Sequence, residues 1–178
     1  MRLALQNYEA EHGKLPPLCV RDSQGSPILS WRGLVLPYLD SNVFKALDLS
    51  QAWDSGHNRK VVDGIPLREW TWFARDTNVQ ESPAATHILA YLGPESIWDA
   101  STGLPKGAIK DRPGAILLIS VPESGIQPLQ PDDITEQKVR RLVQDGNEIL
   151  FVTAGVRHGY GVVSIEDGKL TFHSWQEK

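Results

Sequence analysis

A proline inside an apolar helical stripe, close to the start of the chain, restricts the local fold more than any other feature. In LSWRGLVLPYLD, residues 29–40, Ser30 has the character of a helix N-cap. Trp31, Leu34, Val35, Tyr38 and Leu39 recur at the spacing of one helix face. Pro37 falls within that stripe. It has no N–H to donate and its ring crowds the preceding turn, so the helix must end or kink there and restart with proline in its first turn. WDSGHN at 53–58 then leads into another short helix, with Asp54 or Ser55 as cap, Val61 and Val62 facing inward, and Asp63–Gly64 as its stop. Two or three short helices in a tight cluster are expected, with Trp31, Tyr38 and Trp53 as packing anchors. His57 and Asn58 suit the capping of helix ends or the bonding of backbone carbonyls near Trp53 and Asp54.

These residues resemble a large bacterial family of pilin-like proteins of otherwise undefined function, abundant in planctomycetes, whose N-terminal helix is of the type II secretion pseudopilin kind. The likeness is specific at Trp31–Arg32, at Leu36, Pro37, Tyr38 and Leu39, and at Trp53, Asp54 and Ser55 with His57–Asn58. It extends more loosely to RLALQNYEAEHGKLPP (2–17), similar to the exit from the family's long first helix, to THILAYLGPES (86–96), and to GVVSIEDGKLTF (161–172), similar to its closing hairpin. Two segments depart from the pattern. Where family members often carry a cysteine, IPLREWTWFARD (65–76) has Trp70 and Trp72. The family's Trp-x-x-Pro-x-Asp segment survives only as IQPLQPDD (126–133), without its tryptophan.

The resemblance implies a pilin-like head, in which an antiparallel sheet packs on the exposed half of the first helix. It also implies a long apolar helix, held in the membrane before assembly and in a filament core afterwards. Met1 opens directly on what resembles the last third of such a helix, with Met1, Ala4, Leu5, Tyr8 and His12 on one face and Gly13 as C-cap. A membrane-spanning half is therefore expected upstream. No run in the 178 residues approaches the roughly 20 apolar residues that cross a bilayer. The implied partners are other pilin-like subunits or secretion machinery, with membrane contact only through that helix. The implied location is the periplasm or the cell surface.

Beyond the helical third the pattern turns to strands. Leu67–Ala74 alternates, with Trp70 and Trp72 on one side. THILAYL (86–92) and AILLISV (115–121) follow, the second apolar on both faces and so expected at the centre of a covered sheet. Residues 93–114 read as a long loop. A helix over 133–145 opens with Asp132, Asp133 and Glu136, with capping-box spacing from Asp133 to Glu136, and closes at Asp145–Gly146. Strands at 148–154, 160–165 and 169–175 complete the chain, the last two joined by an Asp167–Gly168 hairpin turn. One α+β domain over 1–178 is expected.

The chemistry-bearing residues are sparse. The single cysteine, Cys19, cannot form an internal disulfide. Net charge of −4, with no basic cluster beyond Lys138, Arg140 and Arg141, speaks against nucleic acid as a partner. The glycine–lysine pairs lack the spacing of a phosphate loop, and GYGVVS (159–164) lacks a dinucleotide fingerprint and opens a strand. No serine sits in a nucleophile elbow. The five histidines have neither the i, i+4 pairing of a zinc helix nor Cys–His spacing, so no catalytic residue, cofactor or metal is assigned. Among six tryptophans, Trp98 and Trp175 are the candidates for ligand contact. Two functions follow: a non-enzymatic pilin-like or secretion-associated structural subunit, and alternatively a surface-displayed module that binds carbohydrate or peptide.

Overall fold

A computed structural model describes residues 1–63, 85–121, 124–155 and 160–175. They fall into two compact units, Met1–His87 with Glu123–Asp132 and Ile88–Pro122 with Asp133–Lys178. The class is α+β.

In the first unit, α1 (Arg2–His12) buries Ala4 and Leu5 and ends at Gly13, which takes the left-handed conformation (φ 72°) and donates its N–H to Glu9. A small hairpin follows, β1 (Cys19–Arg21) with β2 (Pro27–Ser30), which the sequence pattern did not reveal. Three and four residues are too few for alternation to register as a strand signal. Ser30 caps α2 (Trp31–Leu34), its hydroxyl accepting from Arg32 N–H. The proline effect is then explicit: α2 stops, and Leu36–Tyr38 forms a separate 3-10 turn with Pro37 in its first positions. Asp40 caps α3 (Ser41–Ala46), and α4 covers Gly56–Asp63. Leu29, Leu36, Leu47 and Leu129 form the buried cluster of these short elements, with Trp53, Val61 and Val62 packed against it. The expected strand at Leu67–Ala74 and the stop at Gly64 lie outside the described residues.

The second unit is a six-stranded sheet in the order β5-β3-β4-β6-β7-β8. Its strands are β3 (Ile88–Leu92), β4 (Ile116–Ser120), β5 (Ile134–Thr135), β6 (Ile149–Thr153), β7 (Tyr160–Glu166) and β8 (Lys169–Ser174). The apolar run of β4 does lie inside the sheet, buried on both faces over Ile116–Ile119. Asp167 (φ 49°) and Gly168 (φ 71°) make the two-residue turn of the closing hairpin, with Glu166 paired to Lys169. Positive φ at both positions gives a turn whose twist matches that of the flanking strands.

Two expectations require correction. The sheet is mixed: β5 runs parallel to β3, pairing Tyr91 with Ile134 and Leu92 with Thr135. Because residues 134–135 are drawn into the sheet, the helix begins later, as α5 (Glu136–Gln144), and its cap is Thr135. Asp133, read as the first half of a capping box, instead accepts a hydrogen bond from Ala90 N–H at 2.8 Å. A free backbone donor on β3 outcompetes the local cap.

The segment between β3 and β4 is built in detail. Ser96 bridges to Ile116, Trp98 bridges to Pro105, and Ile109–Asp111 is a 3-10 turn. The Ser101 hydroxyl and the backbone N–H groups of Thr102 and Ser101 converge on the Asp99 carboxylate and hold its pKa down to about 2.

The sheet is strongly curved. In a flat sheet β3 and β8, with three strands between them, would be about 19 Å apart, yet the rings of Tyr91 on β3 and Phe172 on β8 meet at 5.4 Å. Phe151 joins them edge-on to Phe172, at 5.2 Å and 87°. The irregularity between Ile116 and Leu118 in the β4–β6 ladder helps the bend. Gly161 leaves the space: a Cβ there would run into the His173 carbonyl oxygen and the edge of the Phe151 ring.

Gly161→Ala is accordingly expected to lower stability by about 1–3 kcal/mol, measured by denaturant unfolding. Asp99 predicts an acid dependence. Its folded pKa lies below the ordinary value of 3.8, so its stabilising effect is complete above that value and is lost as pH falls through about 2. Melting scans of Asp99→Ala should show a flatter pH dependence over that window than the parent.

Candidate functional site

Arg32 is fully buried at the start of α2. A guanidinium removed from water must find acceptors for its planar set of donors. Here Nε donates to the Pro128 carbonyl (2.8 Å), and Nη2 donates to the carbonyls of Gln130 (2.7 Å) and Asp132 (2.8 Å). Ser30 N–H reaches the Leu129 carbonyl at 3.0 Å in the same place. Segment 128–132 is thus the partner of Ser30 and Arg32. Trp31 is itself fully buried, with the Arg32 guanidinium carbon 5.2 Å from its ring centre.

The second half of the pattern makes an equivalent arrangement. Asn58 is 2% exposed. Its Oδ1 accepts from Asp48 N–H (2.9 Å), and its Nδ2 donates to the carbonyls of Asp48 (3.0 Å) and Ala52 (3.1 Å), with Gln51 further off at 3.4 Å. One amide therefore closes the whole turn 48–52. His57 lies 2.8 Å by its Nε2 from the carbonyl of Ala46, the last residue of α3; a carbonyl only accepts, so Nε2 carries the proton and donates. Ser55, not Asp54, caps α4 by accepting from Asn58 N–H; Asp54 is exposed.

Tyr38 ties the 3-10 turn to α1. Its hydroxyl donates to Glu11 Oε2 at 2.7 Å, and its ring meets Tyr8 edge-on at 6.3 Å. Partial burial and the Glu11 carboxylate push the Tyr38 hydroxyl up to about 12. Pro37 is exposed, and Trp53 is half-buried against the leucine cluster.

Residues 1–120 match a family described as a protein of unknown function (DUF1559). The chain belongs to this family. The DUF1559 match takes in both halves of the Trp–Arg and Trp–Asp–Ser, His–Asn pattern and ends at the last residue of β4; the closing hairpin lies beyond it. No curated protein and no solved structure matches the chain.

Outside the pattern, the hairpin brings together three side chains that sequence spacing could not pair. Ser164 Oγ lies 2.8 Å from His173 Nε2, and Glu166 Oε1 lies 2.9 Å from the same nitrogen. A serine nucleophile needs a base whose other ring nitrogen is held by the carboxylate. Here hydroxyl and carboxylate claim one nitrogen, so the arrangement supports no proton relay. It is an exposed polar contact across β7 and β8, with His173 and Glu166 side chains 44% and 56% exposed.

The two tryptophans singled out as ligand contacts part company. Trp98 is fully buried and offers no face to a ligand, whereas Trp175 is 49% exposed and its backbone N–H donates to the Tyr160 carbonyl at 2.8 Å. At the end of β8, next to Trp175, Ser174 joins Glu95, Ile116, Phe151, Thr153 and Phe172 in lining an open cleft of about 360 Å³. Among the described residues no group of three or more His, Cys, Asp or Glu is placed to hold a metal ion.

Asn58→Asp is expected to destabilise at least as much as Asn58→Ala, by about 1–3 kcal/mol, because a carboxylate cannot donate to the carbonyls of Asp48 and Ala52. Arg32→Lys should cost about 2 kcal/mol or more, since one ammonium cannot reach three carbonyls in the guanidinium's plane. Denaturant midpoints of the purified variants measure both.

Proposed function

We infer that this DUF1559 chain is a non-enzymatic, pilin-like structural subunit associated with secretion or the cell surface, working by assembly with other pilin-like subunits. One observation carries the reading. Three polar side chains of the family pattern, Arg32, His57 and Asn58, each donate to backbone carbonyls of their own unit. A pattern whose chemistry-bearing groups are turned to backbone supports a role in shape and contact over one in turnover.

Leu3 supports the same reading. It stands 67% exposed on α1, where an apolar side chain facing water is suited to contact with a neighbouring subunit. The helix expected upstream would anchor the chain before assembly. Among the described residues no helix is long and apolar enough to cross a membrane.

The test uses the native gene in its own host. With Cys19 replaced by serine, Leu3→Cys should give oxidant-dependent ladders of the chain in the envelope or sheared surface fraction. A chain found wholly in the cytoplasmic fraction, or one that stays monomeric on oxidation, would overturn the proposal.

A second reading, a surface-displayed module for carbohydrate or peptide, is favoured by the exposed indole of Trp175 beside the cleft-lining Ser174. Trp175→Ala should abolish retention on an immobilised glycan or peptide while leaving the melting temperature unchanged.

A further inference from the structure

The cleft on the curved sheet contains polar groups to which the described residues offer no hydrogen bond. Thr153, at the end of β6, is only 8% exposed, and among the described residues its hydroxyl makes no hydrogen bond. A buried hydroxyl without a partner is uncommon, because its desolvation is uncompensated. Two further groups line the same cleft and, among the described residues, make no side-chain hydrogen bond: the exposed carboxylate of Glu95 and the exposed hydroxyl of Ser174. Phe151 and Phe172 line the same cleft, their rings at 87° to one another. These side chains come from the segment after β3, from β6 and from β8; the Ser96–Ile116 bridge and the Ile116–Thr153 pair place the first two on either side of β4.

We propose that this cleft binds a single sugar ring, through the unpartnered Thr153 hydroxyl, the Glu95 carboxylate and the Ser174 hydroxyl on its polar edge and Phe172 on its apolar face. The chemistry of the lining selects that class. A carboxylate accepts from two neighbouring hydroxyls at once, the threonine and serine hydroxyls both donate and accept, and an aromatic ring packs on the C–H face of a pyranose. The size agrees: about 360 Å³ lies at the small end of the range of ligand pockets. The inference deepens the second reading above and rests on it, but depends on different residues from the Trp175 test.

The test is titration of the whole chain with glucose, galactose and N-acetylglucosamine, followed by amide NMR shifts and calorimetry, with choline as a cationic comparison. The sugars are expected to move amides around Thr153 and Phe172. Glu95→Gln, which keeps shape and removes charge, should weaken binding about tenfold or more. Thr153→Val separates a ligand role from a structural one: it should leave the melting temperature equal or higher while weakening sugar binding. The proposal is overturned if no sugar shifts these amides, if choline binds more tightly than every sugar, or if Thr153→Val lowers the melting temperature and leaves binding intact. Loss of sugar binding in Trp175→Ala together with full retention in Glu95→Gln would keep the module reading and remove the cleft from it.

Discussion

The interior of the first unit depends on satisfying one buried cation. Arg32 cannot sit at zero exposure unless its donors find acceptors, and they find three carbonyls on a segment about a hundred residues later in the chain. This has two consequences. Segment 128–132 is irregular, and its carbonyls have no ladder to join, so the guanidinium supplies partners that a strand would otherwise provide. The segment also carries Leu129 into the cluster with Leu29, Leu36 and Leu47, so the polar clamp and the apolar core form at the same place. Asn58 repeats the solution on a smaller scale, with one amide closing the turn between α3 and α4.

The second unit is organised by curvature. Three aromatic rings from β3, β6 and β8 converge on one face, which requires the sheet to bend and a glycine on β7 to make way for Phe151. Edge-to-face rings add to the area they bury. The same unit carries a cleft lined by Phe151, Phe172, the hydroxyls of Thr153 and Ser174 and the Glu95 carboxylate. Burial also pushes the Tyr91 hydroxyl pKa well up, with the nearby Glu136 and Glu95 carboxylates adding to the effect, so the cluster stays uncharged at any ordinary pH.

The family pattern and the cleft assign different work to the two units. In the first, Arg32, His57 and Asn58, all within the stretch that matches DUF1559, are bound up in holding backbone; that is the basis for proposing a structural role. In the second, the free polar groups gather on a concave surface, and that is the basis for proposing a ligand. A subunit that displays a binding surface satisfies both.

Much of the local architecture was legible in the residues alone. The Ser30 cap, the break at Pro37, the Gly13 stop, the interior position of β4 and the Asp167–Gly168 turn all follow from rules that act within a few residues: a missing N–H, a side-chain oxygen near a free donor, a φ that only some residues accept. What escaped was decided over longer distances. Asp133 left its expected capping role for Ala90 N–H, and β5 joined β3 in parallel, because an open ladder on a distant strand offered better partners than the local turn. Trp98 and Trp175 looked alike in sequence and are opposite in exposure. Periodicity reports which face of an element is apolar; it does not report which carbonyls a buried Arg32 will reach or which side chains a bent sheet will gather around Thr153, since both depend on closing the chain over long loops.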